Sequence, residues 1–269
     1  MHVSRRATLS VRVVVLIYLA LLLLLPVGVI FIKTFEHGIG AFWTSITTPA
    51  AVSAFWLTVT IAAIAVPLNT IFGVVAALVL VRTRTRGRGV LDALVDVPFV
   101  VSPVIIGLSL VLVYGQGGWF GNWLVAHGLA IIYNPAGMVL ATMFVSLPFV
   151  VREVVPVLIE VGDEQEQAAA TLGASGWQTF WRVTLPSIRW GVAYGVVLTT
   201  ARSLGEFGAV SVVSSKVAGS TLTLPLLVEQ RYSNFDTRGA YAAATLLAVI
   251  SLVVLLAMTV LAPGRRRSE

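Results

Sequence analysis

Residues 52–81 read VSAFWLTVTIAAIAVPLNTIFGVVAALVLV, without one Asp, Glu, Lys, Arg or His. A helix crossing the roughly 30 Å hydrocarbon core of a bilayer needs about 20 mostly apolar residues, so this run can span with tilt. Further mostly apolar runs lie at about residues 13–32, 97–114, 136–159, 188–213 and 239–262, the fourth of the six carrying Arg152 and Glu153 and the fifth Arg202 and Glu206. The expected fold is an all-α polytopic membrane protein with six transmembrane helices. Inside the quoted run, Pro67 and Asn69 read as a helix kink with a local hydrogen bond.

The composition points the same way. Of 269 residues, 58% fall in the hydrophobic set and 11% are charged, against roughly 45–50% and about 25% for soluble domains. Too few charges remain to cover a water-facing surface, and disorder needs low hydrophobicity with high charge. The chain has no cysteine, which removes disulfide scaffolds, thiolate metal sites and thiol nucleophiles.

The net charge of +6 fits either a nucleic-acid partner or a charged cytoplasmic face. Position decides between them. With the N-terminus inside, the cytoplasmic segments hold Arg5, Arg6, Arg12, Arg82, Arg84, Arg86, Arg88, Arg152, Arg182, Arg189, Arg265, Arg266 and Arg267. The outer loops hold only Lys33, Lys216, Arg231 and Arg238. This is a positive-inside bias, and the basic residues form no aromatic-interleaved patch on which bases could stack. Residues 1–12 and 263–269 are therefore expected as cytoplasmic tails. The first run exceeds a signal-peptide core of about 7–15 residues and lacks an A-x-A site, so it reads as a retained helix.

Between the fourth and fifth runs lies a polar segment, residues 163–186. Asp163 and Glu166 have capping-box spacing, and Gly173 is placed to end the helix in the left-handed region. Ser175 can cap a second short helix presenting Trp177, Phe180 and Trp181, with Pro186 closing the segment. Two short helices at about a right angle are expected along the membrane surface. The first exposes little beyond alanines and one leucine, a surface that can sink into a groove on another protein. An interfacial lipid-resting helix would call for a basic polar face, and this one is acidic.

The segment resembles the EAA loop of permease subunits of bacterial ABC importers: Gln167-Ala168-Ala169, then Gly173 after three residues, then Val183-Thr184-Leu185-Pro186 after nine. Gln167 replaces the usual Glu and Val183 the usual Ile, while Glu164 and Glu166 stand beside the lost charge. Farther on, Arg202-Ser203-Leu204-Gly205-Glu206-Phe207-Gly208-Ala209-Val210-Ser211-Val212-Val213-Ser214, then Thr223-Leu224-Pro225-Leu226 with Glu229, is similar to sulfate/thiosulfate permeases, the CysW type in particular. Gly-Glu-Phe-Gly also occurs in molybdate permeases, so molybdate or tungstate is the alternative substrate.

The resemblance implies a type I ABC importer permease of MetI-like fold in a bacterial inner membrane. It implies a CysT-type second permease, two copies of an ATPase subunit and an extracytoplasmic sulfate-binding protein. This chain would carry no cofactor, ATP and magnesium being held by the ATPase. Glu164, Glu166, Gln167, Ala168, Ala169, Gly173, Leu185 and Pro186 are the expected ATPase-coupling residues.

A charge at the centre of a span costs about 2.5–3.5 kcal/mol on insertion scales, so such residues pair or line a pathway. Arg202 and Glu206, four apart, are expected on one helix face, with hydroxyls from Ser203, Ser211 and Ser214 nearby. They are read as a translocation pathway or gate, the other reading being a buried pair that fixes helix orientation. Arg152 and Glu153 are expected to snorkel to the interface. A doubly charged ion passing through would need only weak, transient contacts.

Enzymatic readings fail on specific residues. Gly173-Ala174-Ser175-Gly176 fits the G-x-S-G of rhomboid proteases, but His2, His37 and His127 all precede it, in the tail or outer loops, and supply no base. A phosphate-binding loop needs Gly-Lys, and Lys33 and Lys216 follow Ile and Ser. Three scattered histidines suggest no metal site. A stand-alone anion channel or facilitator is the remaining class, though it has no use for an alanine-faced cytoplasmic helix.

Overall fold

The computed structural model describes residues 5–83 and 87–261. His2, Arg84, Arg86 and the tail 263–269 lie outside the described residues, and so does the expected placement of that tail. Helices are the only regular structure among the described residues. The first long helix is α1 (Arg5–Leu19) continued through a π turn at Ala20–Leu24 into α2 (Leu25–Phe35), so residues 5–12 of the expected tail are already helical. There follow α3 (Ile39–Ile46), α4 (Pro49–Arg82), α5 (Arg88–Val100), α6 (Pro103–Tyr114), α7 (Gly121–Ala126) and α8 (Pro135–Val161). The segment between the long helices is α9 (Glu164–Thr171) and α10 (Gly176–Thr179). The chain ends with α11 (Leu185–Leu204), α12 (Gly208–Val213), α13 (Leu224–Ser233) and α14 (Thr237–Leu261).

Local chemistry sets these limits. Thr48 caps α4, its hydroxyl accepting from the Ala51 amide at 3.3 Å, and Pro49 occupies the first turn where its missing N–H costs nothing. Pro67 does not break α4, which runs on as one helix about 50 Å long. Asn69 makes no local bond of the kind expected from the kink. Its amide crosses to α8, donating to the Met143 carbonyl and to Ser146 Oγ, both at 2.9 Å, and so ties two spans together in a region with no water to compete.

The core forms where α8 is gripped from two sides. A Cβ on Gly73 of α4 would lie 2.6 Å from Val150 Cβ, and one on Gly195 of α11 would lie 2.8 Å from Val150 Cα. Val150 itself is fully buried. Gly191 and Gly195 thus form a small-xxx-small contact that lets α11 lie directly on α8. One apolar cluster fills this half of the bundle, around Val150, Val154, Leu158 and Ile188. A second fills the other half, around Met138, Val210, Leu224 and Leu226. The α1–α2 helix lies to one side, joined through Thr34, whose hydroxyl meets Thr245 Oγ1 at 2.7 Å and donates to the Tyr241 carbonyl at 3.0 Å.

By length and apolar character, four helices among the described residues can cross a membrane, or five when a bent pair counts as one. The expected six is not reached, for two physical reasons. The run 97–114 is not a straight helix: its first residues belong to α5, and α6 leaves at 110°. Pro103 drives Ser102 out of the helical region, to φ −58° and ψ 135°, which breaks the run. The run 188–213 stops at Gly205 and resumes as the six-residue α12, and α11 is diluted by Arg189, Thr199, Thr200, Arg202 and Ser203.

Candidate functional site

The polar segment folds into a knob. At the end of α9 the Gly173 amide donates to the Ala170 carbonyl and the Ala174 amide to the Ala169 carbonyl, both at 3.0 Å. This Schellman closure requires a left-handed residue, and Gly173 has φ +83°. Ser175 and Gln178 form a reciprocal capping box that starts α10. α10 does not end at Pro186, contrary to expectation. It passes through a π turn at Phe180–Thr184 straight into α11, and the wider turn absorbs the amide that Pro186 lacks.

The knob's surface is what the alanines promised. Glu164, Gln167, Ala168, Ala170 and Gly173 are exposed, and Leu172 is 89% exposed at the tip. An open groove runs beside α9, walled by Ala168, Ala169, Val183 and Pro186, with Arg182 and Arg189 at its edge. Leu185, by contrast, packs into the cluster around Val154 and Leu158.

The capping box expected from Asp163 and Glu166 does not form, since the Asp163 side chain makes no cap bond. Glu166 turns inward instead. Its carboxylate accepts from Arg82 Nε at 2.9 Å and from Thr184 Oγ1 at 2.8 Å. Arg82 carried no signal of this in the sequence beyond its place at the end of a span.

The expected Arg202–Glu206 pair does form, but across a break rather than along one helix. Arg202 lies in the last turn of α11, Gly205 ends that helix, and Glu206 sits in the turn before α12. Their closest approach is Arg202 Nη1 to Glu206 Oε2, 2.6 Å. The other carboxylate oxygen accepts from the Ala209 amide at 2.8 Å, stabilising the start of α12. Ser203 joins Glu206 at one small cavity with Thr142 of α8 and Thr223. Ser211 and Ser214 are not gathered there. Ser211 donates to the Gly208 carbonyl at 2.8 Å, and Ser214 donates to the Thr221 carbonyl while accepting from the Lys216 amide.

Arg152 has partners that the sequence alone did not name. Its guanidinium meets Asp92 Oδ1 at 2.9 Å and Asp96 Oδ1 at 2.8 Å, clamping α8 to α5. The four-residue spacing of Asp92 and Asp96 places both on one helix face and was the available signal.

Comparison with known proteins agrees with this architecture. A family model described as a binding-protein-dependent transport system inner membrane component matches residues 69–267. A Synechocystis sp. protein named sulfate transport system permease protein CysW is 51% identical over 246 residues, covering 91% of this chain and 89% of that protein. The sulfate transport system permease protein CysT of the same organism is 37% identical over 255 residues, covering 95% and 89%. Among solved structures, a chain of a bacterial alginate ABC transporter in complex with an alginate pentasaccharide-bound periplasmic protein superposes with a TM-score of 0.78. It is 18% identical and covers 95% of this chain and 93% of that chain, a likeness of fold.

Proposed function

The chain belongs to the family of inner membrane components of binding-protein-dependent transport systems, and from that footing we propose that it is a permease subunit passing sulfate or thiosulfate through an ATP-driven importer. It acts beside a second, CysT-type permease, two copies of a cytoplasmic ATPase and an extracytoplasmic sulfate-binding protein. ATP and magnesium belong to the ATPase. Both termini lie in the cytoplasm, a reading supported by the one-sided distribution of arginine.

One observation carries the reading. The alanine face of α9 and the Leu172 tip stand exposed beside an open groove, a shape suited to docking in a partner's cleft. Ala168, Ala169 and Gly173 enter that cleft, with Glu164 and Gln167 at its rim, and Pro186 and Leu185 begin the helix that carries motion onward. ATP closes the ATPase dimer, the knobs act as levers, and the spans rock to alternate access. Arg202 is the passing contact for the dianion. Glu206 halves its pull, which keeps the contact weak enough to release.

The test is affinity purification of the tagged chain from mild detergent, followed by uptake of radiolabelled sulfate in cells lacking it. An ATPase that copurifies, with uptake restored by this chain and competed by thiosulfate, supports the reading. A chain recovered alone, or competition by molybdate in place of thiosulfate, contradicts the class or the substrate respectively.

A further inference from the structure

We infer that Arg82 is a positioning residue: with its partner Glu166 it passes movement of the α9 knob to the ends of α4, α8 and α11 together. The inference rests on the importer reading above. It starts from how loosely α9 is held by its own chain. Gly162, with φ +69°, precedes it and Gly173, with φ +83°, follows it. Both joints use a backbone region that other residues rarely adopt, and α9 packs mainly on short elements, α10 and the π turn.

Against these pliable joints stands one compact polar node. Arg82, the last residue of α4, sends Nε to Glu166 Oε2 at 2.9 Å, Nη2 to the Gly162 carbonyl at 2.6 Å and Nη1 to the Leu158 carbonyl at 3.3 Å. The Leu158 carbonyl belongs to the last turn of α8, where carbonyls lack helical partners and a cation is favoured by the dipole. Glu166 then takes the hydroxyl of Thr184, in the π turn that leads into α11, at 2.8 Å. The ends of α4, α8 and α11 and the first turn of α9 therefore share one guanidinium and one carboxylate. The two side chains are 20% and 21% exposed, which shields the pair from the screening that weakens surface ion pairs. Lysine could supply the charge but not the fork that reaches the carboxylate and both carbonyls at once.

The consequence is mechanical. When the knob is displaced, the node turns that displacement into a pull on α4, α8 and α11. Without Arg82, α9 keeps only its contacts with α10 and the π turn, swings on its two glycines, and α4 and α8 stay behind. Binding of the ATPase is left intact, because Arg82 does not face the groove beside α9; transmission is lost.

The experiment uses the reconstituted complex of both permeases, the ATPase and the binding protein. ATPase activity is measured with and without sulfate-loaded binding protein. Arg82→Ala is expected to assemble with ordinary basal ATPase activity and to lose stimulation at least tenfold, with Arg82→Lys in between. The absence of cysteine allows a reversible second test. Arg82→Cys with Glu166→Cys, bridged by a short bis-methanethiosulfonate, is expected to regain stimulation and to lose it again on reduction. The reagent on the wild-type complex is the control. Retained stimulation in Arg82→Ala overturns the inference, and so does a bridge that forms without restoring stimulation. If Arg82→Ala fails to assemble, the bridged pair decides by the same criterion. A wild-type complex that shows no stimulation at all overturns the importer reading itself.

Discussion

Arg202 and Glu206 approach to 2.6 Å across the end of one helix, yet they are unequal: the glutamate side chain is 2% exposed and the arginine side chain 30%. Glu206 is anchored twice, by Arg202 and by the Ala209 amide. Of the two, only the Arg202 side chain keeps appreciable exposed surface.

This asymmetry separates a transport role from a structural one. Arg202→Ala leaves a buried carboxylate without its partner, a loss of about 3–5 kcal/mol that should lower recovery of the folded chain. Arg202→Ala combined with Glu206→Gln removes both charges, and Gln can still accept from Ala209. The double variant is expected to recover its thermal midpoint in detergent while sulfate uptake stays abolished. Normal uptake by the double variant would make the pair purely structural.

Gly173 gives a second separation, between the chain's own stability and its fit to a partner. A Cβ there meets nothing within 4 Å, but φ is +83°, so Gly173→Ala should cost the chain about 1 kcal/mol of strain. Gly173→Asp adds a negative charge at the unfavourable end of α9's dipole and bulk at the tip of the knob. The expected result is a thermal midpoint only a few degrees lower, about 2–4 °C per kcal/mol, with complete loss of ATPase stimulation by the loaded binding protein. Unchanged stimulation would place the coupling surface elsewhere.

The grip on Val150 makes a stability prediction. At Gly195 the added Cβ would come within 2.8 Å of backbone, Val150 Cα, which cannot rotate away. Gly195→Val should separate α11 from α8 and destabilise the protein by about 1–3 kcal/mol, read as a fall in thermal midpoint and in monodisperse yield. Gly28→Ala is the control, since nothing lies within 4 Å of it and no fall is expected there.

Much of the fold was legible because α4, α8 and α14 are long, predominantly apolar runs whose length alone implies a span. The bend between α5 and α6 was not, because hydropathy carries no direction. Pro98 and Pro103 were visible, but a run that turns by 110° scores like a straight one. The knob was legible in detail at Gly173 and Ser175, where a local φ or a local cap decides the geometry. It failed at Glu166, whose capping-box spacing suggested a local partner. Arg82 lies 84 positions away and competes successfully because it brings a full charge. The partners of Arg152 were missed for the same reason. Asp92 and Asp96 sit on a helix that only the folded chain brings alongside α8.

The account stands on a division of labour between an anion passage in the membrane and a nucleotide engine outside this chain. Vesicles reconstituted with this chain, the second permease, the ATPase and the sulfate-binding protein test it most directly, by uptake of radiolabelled sulfate as each component is left out. Accumulation that needs every component and ATP is the expected result. Sulfate entering vesicles that contain this chain alone would contradict it.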